Sequence, residues 1–185
     1  MIDTQQIVPF PEAQEYQVRL REKEQRKRSG GWAPKSPARL WEEFEAKCEP
    51  EDVQLARHVC DWVAPLVDEV FPTKNGFSQL LAVGKTRYFF FKVSTDGSVA
   101  VWFQHFASKP PFADDNVRKE LLQRFKAIPG FDITEERLTG RPGMPIAVLR
   151  DDESLRIFKE AVEWSIQQVR SQAEPVPIPT GTPKP

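Results

Sequence analysis

The sequence predicts one α+β domain in which an antiparallel sheet of three or more strands packs against two or three long helices. Apolar residues recur at three- and four-residue steps over 51–71 and again over 152–171, the period of a helix with one buried face. Between these stretches, 77–106 is rich in aromatic and β-branched residues and is punctuated by short turn sequences. The strand segments are joined by hairpin-length gaps, whereas a doubly wound α/β sheet needs helices between its strands.

Composition supports a single domain. A chain of 185 residues with 39% apolar content can bury a sizeable core, so neither a disulfide nor a structural metal is required for stability. Three regions are expected: a flexible N-terminal arm over 1–33, the domain over 34–172, and a Pro-rich tail over 173–185 that holds five prolines. Within the arm, Arg19, Arg21, Lys23, Arg26, Lys27 and Arg28 stand against Glu22 and Glu24, a local charge of +4.

Along the chain, Ser36 is the expected cap of a short helix with Pro37 at its first position, and Trp32 and Trp41 are expected as packing anchors. Leu55, Val59, Trp62, Leu66 and Val70 form the stripe of the first long helix, which Pro65 must kink or divide. Strands are expected at 77–83, 87–94 and 98–106, with Gly84-Lys85 and Asp96-Gly97 in the turns. The runs Tyr88-Phe89-Phe90-Phe91 and Val99-Ala100-Val101-Trp102-Phe103 carry apolar groups on both faces, so one face needs helices and the other a second layer, a ligand or a partner. A helix follows over 113–128, closed by Pro129-Gly130, then short strands at 131–133 and 145–149 around a turn-rich loop, then the helix at 152–171. The acidic pairs Asp114-Asp115 and Asp151-Asp152 fall at helix starts, where they cap free amides.

The chemistry of the chain is sparse. Cys48 and Cys60 form no CxxC pair and join only His58 and His105, which gives no zinc spacing and fits a reduced, cytoplasmic protein. A thiol nucleophile at Cys60 is not supported by His58, two positions away on a helix, and Cys60 is expected in the core. Gly84-Lys85-Thr86 lacks the rest of a phosphate loop and is assigned to a hairpin. No apolar run reaches the roughly 18 residues that span a bilayer, and no membrane partner or cofactor is expected.

Three functions remain. The leading expectation is a non-catalytic binding or adaptor module for a nucleic acid or an acidic protein. Its contacts would come from the arm cations and from Lys109, Arg137, Arg141 and Trp102, with Phe106 adding stacking if exposed. The first alternative is a small enzyme acting on a phosphate-containing substrate, such as a metal-dependent nuclease, with His105 or Asp114 in the chemistry and Asp68, Glu69 and Lys92 nearby. The second is a structural subunit that buries its aromatic sheet face in a homo-oligomer. A net charge of -1 argues against wrapping nucleic acid by a global field, which leaves local patches to carry any phosphate contact.

Overall fold

In the computed structural model, which describes residues 34–131 and 133–172, a six-stranded sheet is assembled wholly from antiparallel pairs. The strands are β1 (Glu69–Pro72), β2 (Gly76–Val83), β3 (Thr86–Tyr88), β4 (Phe91–Ser94), β5 (Ser98–Val101) and β6 (Gly143–Pro145). Their order is β1-β2-β4-β5-β6, with β3 paired to the far end of β2. The helices are α1 (Pro37–Glu45), α2 (Pro50–Val63), α3 (Phe103–Phe106), α4 (Asp115–Lys126) and α5 (Asp152–Ser171).

Local chemistry sets the helix starts. The Ser36 hydroxyl accepts from the Arg39 amide with Pro37 in the first turn, Asp114 accepts from the Asn116 amide, and Asp151 accepts from the Ser154 amide. The acidic pairs are therefore caps. The hairpin turns also form as expected, with Gly84 at φ 59° and Gly97 at φ 77°, a region that costs glycine little. In the second turn, Asp96 Oδ1 accepts from the Ser98 amide at 3.1 Å.

Register separates the two faces of the sheet. Pro72, Phe77, Val93, Val99 and Met144 are successive cross-strand partners, and from Phe77 onward every one of them is buried. Phe158 of α5 is the meeting point beneath them. It lies 5.1 Å from Phe91 of β4, 5.9 Å from Phe125 of α4 and 6.4 Å from Trp62 of α2, measured between ring centroids. Trp41 of α1 stacks on Phe77 at 4.5 Å, so the four longer helices all contribute to this one side.

Five expected elements need correction. The helix expected over 51–71 ends at Val63; Ala64–Leu66 makes a 3-10 turn through Pro65, and Glu69–Pro72 is an edge strand paired with β2. Proline breaks the helix, and ladder bonds to β2 satisfy the following backbone better than a resumed helix would. The expected strand 87–94 divides around Phe89-Phe90, because adjacent Phe90 and Phe91 are both buried and a continuous strand would send them to opposite faces. At the break, side chains of β2 replace the ladder: Gln79 Oε1 accepts from the Phe91 amide at 3.2 Å and Ser78 Oγ donates to the Phe91 carbonyl at 3.1 Å.

The expected strand 98–106 stops at Val101 and turns into α3, which directs Phe103 and Phe106 into the core. Phe106 is therefore no stacking surface. Phe131 and Ile133 are buried outside any strand, and the strand expected at 145–149 lies earlier, at Gly143–Pro145, with Ile146–Arg150 in a 3-10 turn.

Gly76 marks the tightest backbone approach. A Cβ there would sit 2.0 Å from the Val93 carbonyl oxygen and 2.8 Å from Ser94 Cα, whereas one at Gly84 would meet nothing within 4 Å among the described residues. Gly76→Ala is expected to destabilise the protein by about 3 kcal/mol or more, through forced separation of β2 from β4. Gly84→Ala should cost only about 1 kcal/mol, the penalty of its positive φ. Urea unfolding midpoints of the two variants check this order, and equal midpoints would contradict it.

Candidate functional site

The sheet face opposite the helices carries Phe71, Ser78, Lys92, Ala100 and Gly143 as one cross-strand row. Ser78 is fully buried in this row beside Lys92, and the small residues Ala100 and Gly143 leave its other end shallow. A Cβ at Gly143 would meet the Val99 carbonyl oxygen at 3.1 Å and Ala100 Cβ at 3.4 Å. At the end of the row, the break at Phe89 and the turn at Trp102 bring a cluster of rings together.

Phe89 lies 6.0 Å from Phe71, 5.9 Å from Trp102 and 5.3 Å from His105 between ring centroids. Trp102 and His105 stack at 4.6 Å with 22° between their planes. All four rings are half-buried, an intermediate state that suits a surface offering apolar area to a partner. Trp102 Nε1 and His105 Nε2 are themselves buried and have no hydrogen-bond partner among the described residues. A buried ring N–H without an acceptor costs desolvation energy, so this end of the face is rich in unsatisfied polarity.

Cations surround the rings. The Arg141 guanidinium lies 4.5 Å from the centroid of Trp102, and Lys109 Nζ lies 5.6 Å from Phe89 and 5.8 Å from Tyr88. Each such contact is worth about 0.5–2 kcal/mol, rising with desolvation. Arg141 is held in place by Gln104, whose amide oxygen, oriented toward it by the hydrogen bonding, accepts from Nη2 at 2.7 Å and Nε at 2.8 Å. Backbone bonds fix the loop beneath: the Val101 amide donates to the Pro142 carbonyl at 2.8 Å and the Gln104 amide to the Gly140 carbonyl at 2.9 Å. Lys109 Nζ donates to the Arg87 carbonyl at 2.5 Å, and Lys92 Nζ donates to Asn75 Oδ1.

None of these cations has a carboxylate within ion-pair distance among the described residues. The ion pairs there involve other groups, including Lys35–Glu43, Arg57–Glu45, Arg118–Asp115, Arg150–Asp52 and Arg156–Glu153. Burial disfavours the charged forms here, and mutual repulsion adds to it at His105 and Lys92. His105 is held below its ordinary value by burial first and then by Lys109 and Arg141. Lys92 is lowered by burial and by Arg141, against a weaker opposing pull from Asp96, and Lys109 is lowered by burial.

Of the residues expected from sequence, Trp102, Lys109 and Arg141 are thus brought together around His105, and Lys92 on β4 lies within reach of the Arg141 charge. Arg137 is not placed with them. It is exposed in the 3-10 turn Glu135–Thr139, and its side chain makes no hydrogen bond or ion pair among the described residues. Arg19, Arg21, Lys23, Arg26, Lys27 and Arg28 lie outside the described residues, as does Trp32. Phe71, Phe89 and Gln104 were not singled out by sequence, although the overloaded run Tyr88 to Phe91 was the signal that one ring must leave the core.

The residues considered for catalysis are engaged elsewhere. Asp68 Oδ2 accepts from the Ala82 amide at 2.7 Å, and Glu69 is an exposed residue of edge strand β1, not of a helix as expected. His58 Nε2 faces Lys159 Nζ at 2.8 Å, and burial pushes the Cys60 thiol up to about 12. No group of three or more His, Cys, Asp or Glu residues is placed to hold a metal among the described residues, and none of their helices is long and apolar enough to cross a membrane.

The lowered His105 value has a defined sign. Its neutral form is favoured by the fold, so its contribution to stability is present above the ordinary value of 6.5 and is lost as pH falls through the folded value. Unfolding midpoints should therefore drop as pH is lowered through about 6.5, and His105→Gln should flatten that part of the profile; an unchanged profile in the variant would contradict this assignment. No protein-family model matches the chain, and no curated protein and no solved structure matches it.

Proposed function

We propose that this chain is a non-catalytic binding module whose open sheet face engages an anionic partner. The observation that carries this reading is the gathering of Lys109 and Arg141 beside Phe89, Trp102 and His105, with Lys92 close enough to Arg141 to feel its charge, and with no carboxylate within ion-pair distance of any of the three among the described residues. Like charges held together cost energy, and an anion seated among them removes that cost while accepting from their N–H groups. The neighbours of His105 are rings and cations. Metal-assisted hydrolysis of a phosphodiester calls instead for converging carboxylates, so the setting of His105 supports binding over chemistry.

The partner is recognised by charge over short range, since the whole chain has a formal net charge of -1. Anion binding also favours protonated His105, so affinity should rise as pH falls through the folded value of this group.

Retention on immobilised heparin tests the reading. The wild-type chain should be retained at low salt near pH 7, and Lys92→Gln, Lys109→Gln and Arg141→Gln together should lower the eluting salt concentration. The same shift should persist when the six arm cations from Arg19 to Arg28 are changed to Gln, which separates the face from the arm. Elution of the triple variant at the wild-type salt concentration would contradict the proposal.

A further inference from the structure

We infer that the anionic partner of this face is a single-stranded nucleic acid, with bases stacked on Phe89 and Phe71 and phosphates held by Lys92, Lys109 and Arg141; this rests on the anion-binding reading above. Cations alone would suit any polyanion. The rings narrow the choice, because Phe71, Phe89, Trp102 and His105 are partly exposed and follow one another at centroid steps of 6.0, 5.9 and 4.6 Å beside the cations. Duplex DNA offers phosphates on its outside but keeps the faces of its bases stacked within. An acidic peptide offers carboxylates but not a series of flat rings. A single strand offers both, and stacking on aromatic side chains is how single-stranded bases are commonly held on a sheet.

The floor of the face fits the same occupant. Beyond Lys92 the row ends in Ala100 and Gly143, which are small and partly or fully exposed, so a chain lying over β5 and β6 beside the cations meets no large side chain of this row. Arg141 has its Nε and Nη2 committed to Gln104 while its plane lies over Trp102, which leaves Nη1 to donate to a phosphate.

The test uses the full chain and fluorescently labelled oligothymidylate and oligouridylate of about 12 nucleotides, a length within the range one such surface covers. A duplex of equal length and poly-glutamate serve as competitors, and mass is followed by light scattering. Oligonucleotide binding is expected, with Phe89→Ala and Phe89→Leu each weakening it roughly 5- to 100-fold, because the leucine keeps apolar packing and removes only the ring. The triple Gln variant at Lys92, Lys109 and Arg141 should reduce the slope of log affinity against log salt by about 2, three contacts at roughly 0.7 each. Both effects should survive neutralisation of the arm.

If the charge variants weaken binding while both Phe89 variants bind as wild type with native unfolding transitions, anion binding stands and the single-strand inference falls. Competition by poly-glutamate or duplex equal to that by the oligonucleotide has the same meaning. A mass of twice 21.3 kDa with no oligonucleotide binding would make a second copy the occupant and overturn the inference. Loss of both heparin retention and oligonucleotide binding in the wild type would overturn both readings.

Discussion

Burial of one side of the sheet on Phe158 is the constraint from which the rest of the molecule follows. This fully buried ring touches Phe91 of the sheet, Phe125 of α4 and Trp62 of α2 at once, so the three longest helices and the central strand share a single apolar contact. Each aromatic pair adds about 0.5–1.5 kcal/mol beyond the area it buries. The packing is one-sided: Phe77, Phe91, Val93, Val99, Val101 and Met144 face the helices, and the alternate residues of the same strands face the other way.

That geometry also builds the candidate site. Phe90 and Phe91 can both reach the core only if the strand breaks, and the break releases Phe89 to the opposite face. Likewise Val101 and Phe103 are both buried with Trp102 between them, and the turn into α3 leaves the indole and His105 outside the core beside Phe89. The Gly140 and Pro142 carbonyls then tie the loop that carries Arg141 to this corner. The cations therefore sit on a frame set by core packing, and none of them has a carboxylate within ion-pair distance among the described residues.

Much of this was legible in the residues. The helix at 152–171 was readable to its ends because Asp151 caps it and Leu155, Phe158, Val162, Ile166 and Val169 repeat without interruption. The turns at Gly84 and Gly97 were readable because their φ values require glycine-like freedom. Glu69–Pro72 was not readable as a strand, since Val70 continues the helical period of Trp62 and Leu66 and only pairing with β2 overrides it. Trp102, Lys109 and Arg141 could be named as candidates from type and loop position. Their meeting with Phe71, Phe89 and Lys92 could not, because it depends on register across three strands and on a strand break that local pattern does not place.

The most direct test of one-sided packing is hydroxyl-radical footprinting of the free full-length chain with residue-level mass spectrometry. The account predicts that Phe71 and Phe89 are oxidised readily while Phe91 and Phe158 stay protected until the protein unfolds. Protection of Phe71 and Phe89 equal to that of Phe91 and Phe158 would mean that the second face is covered, and the account would be wrong at its base.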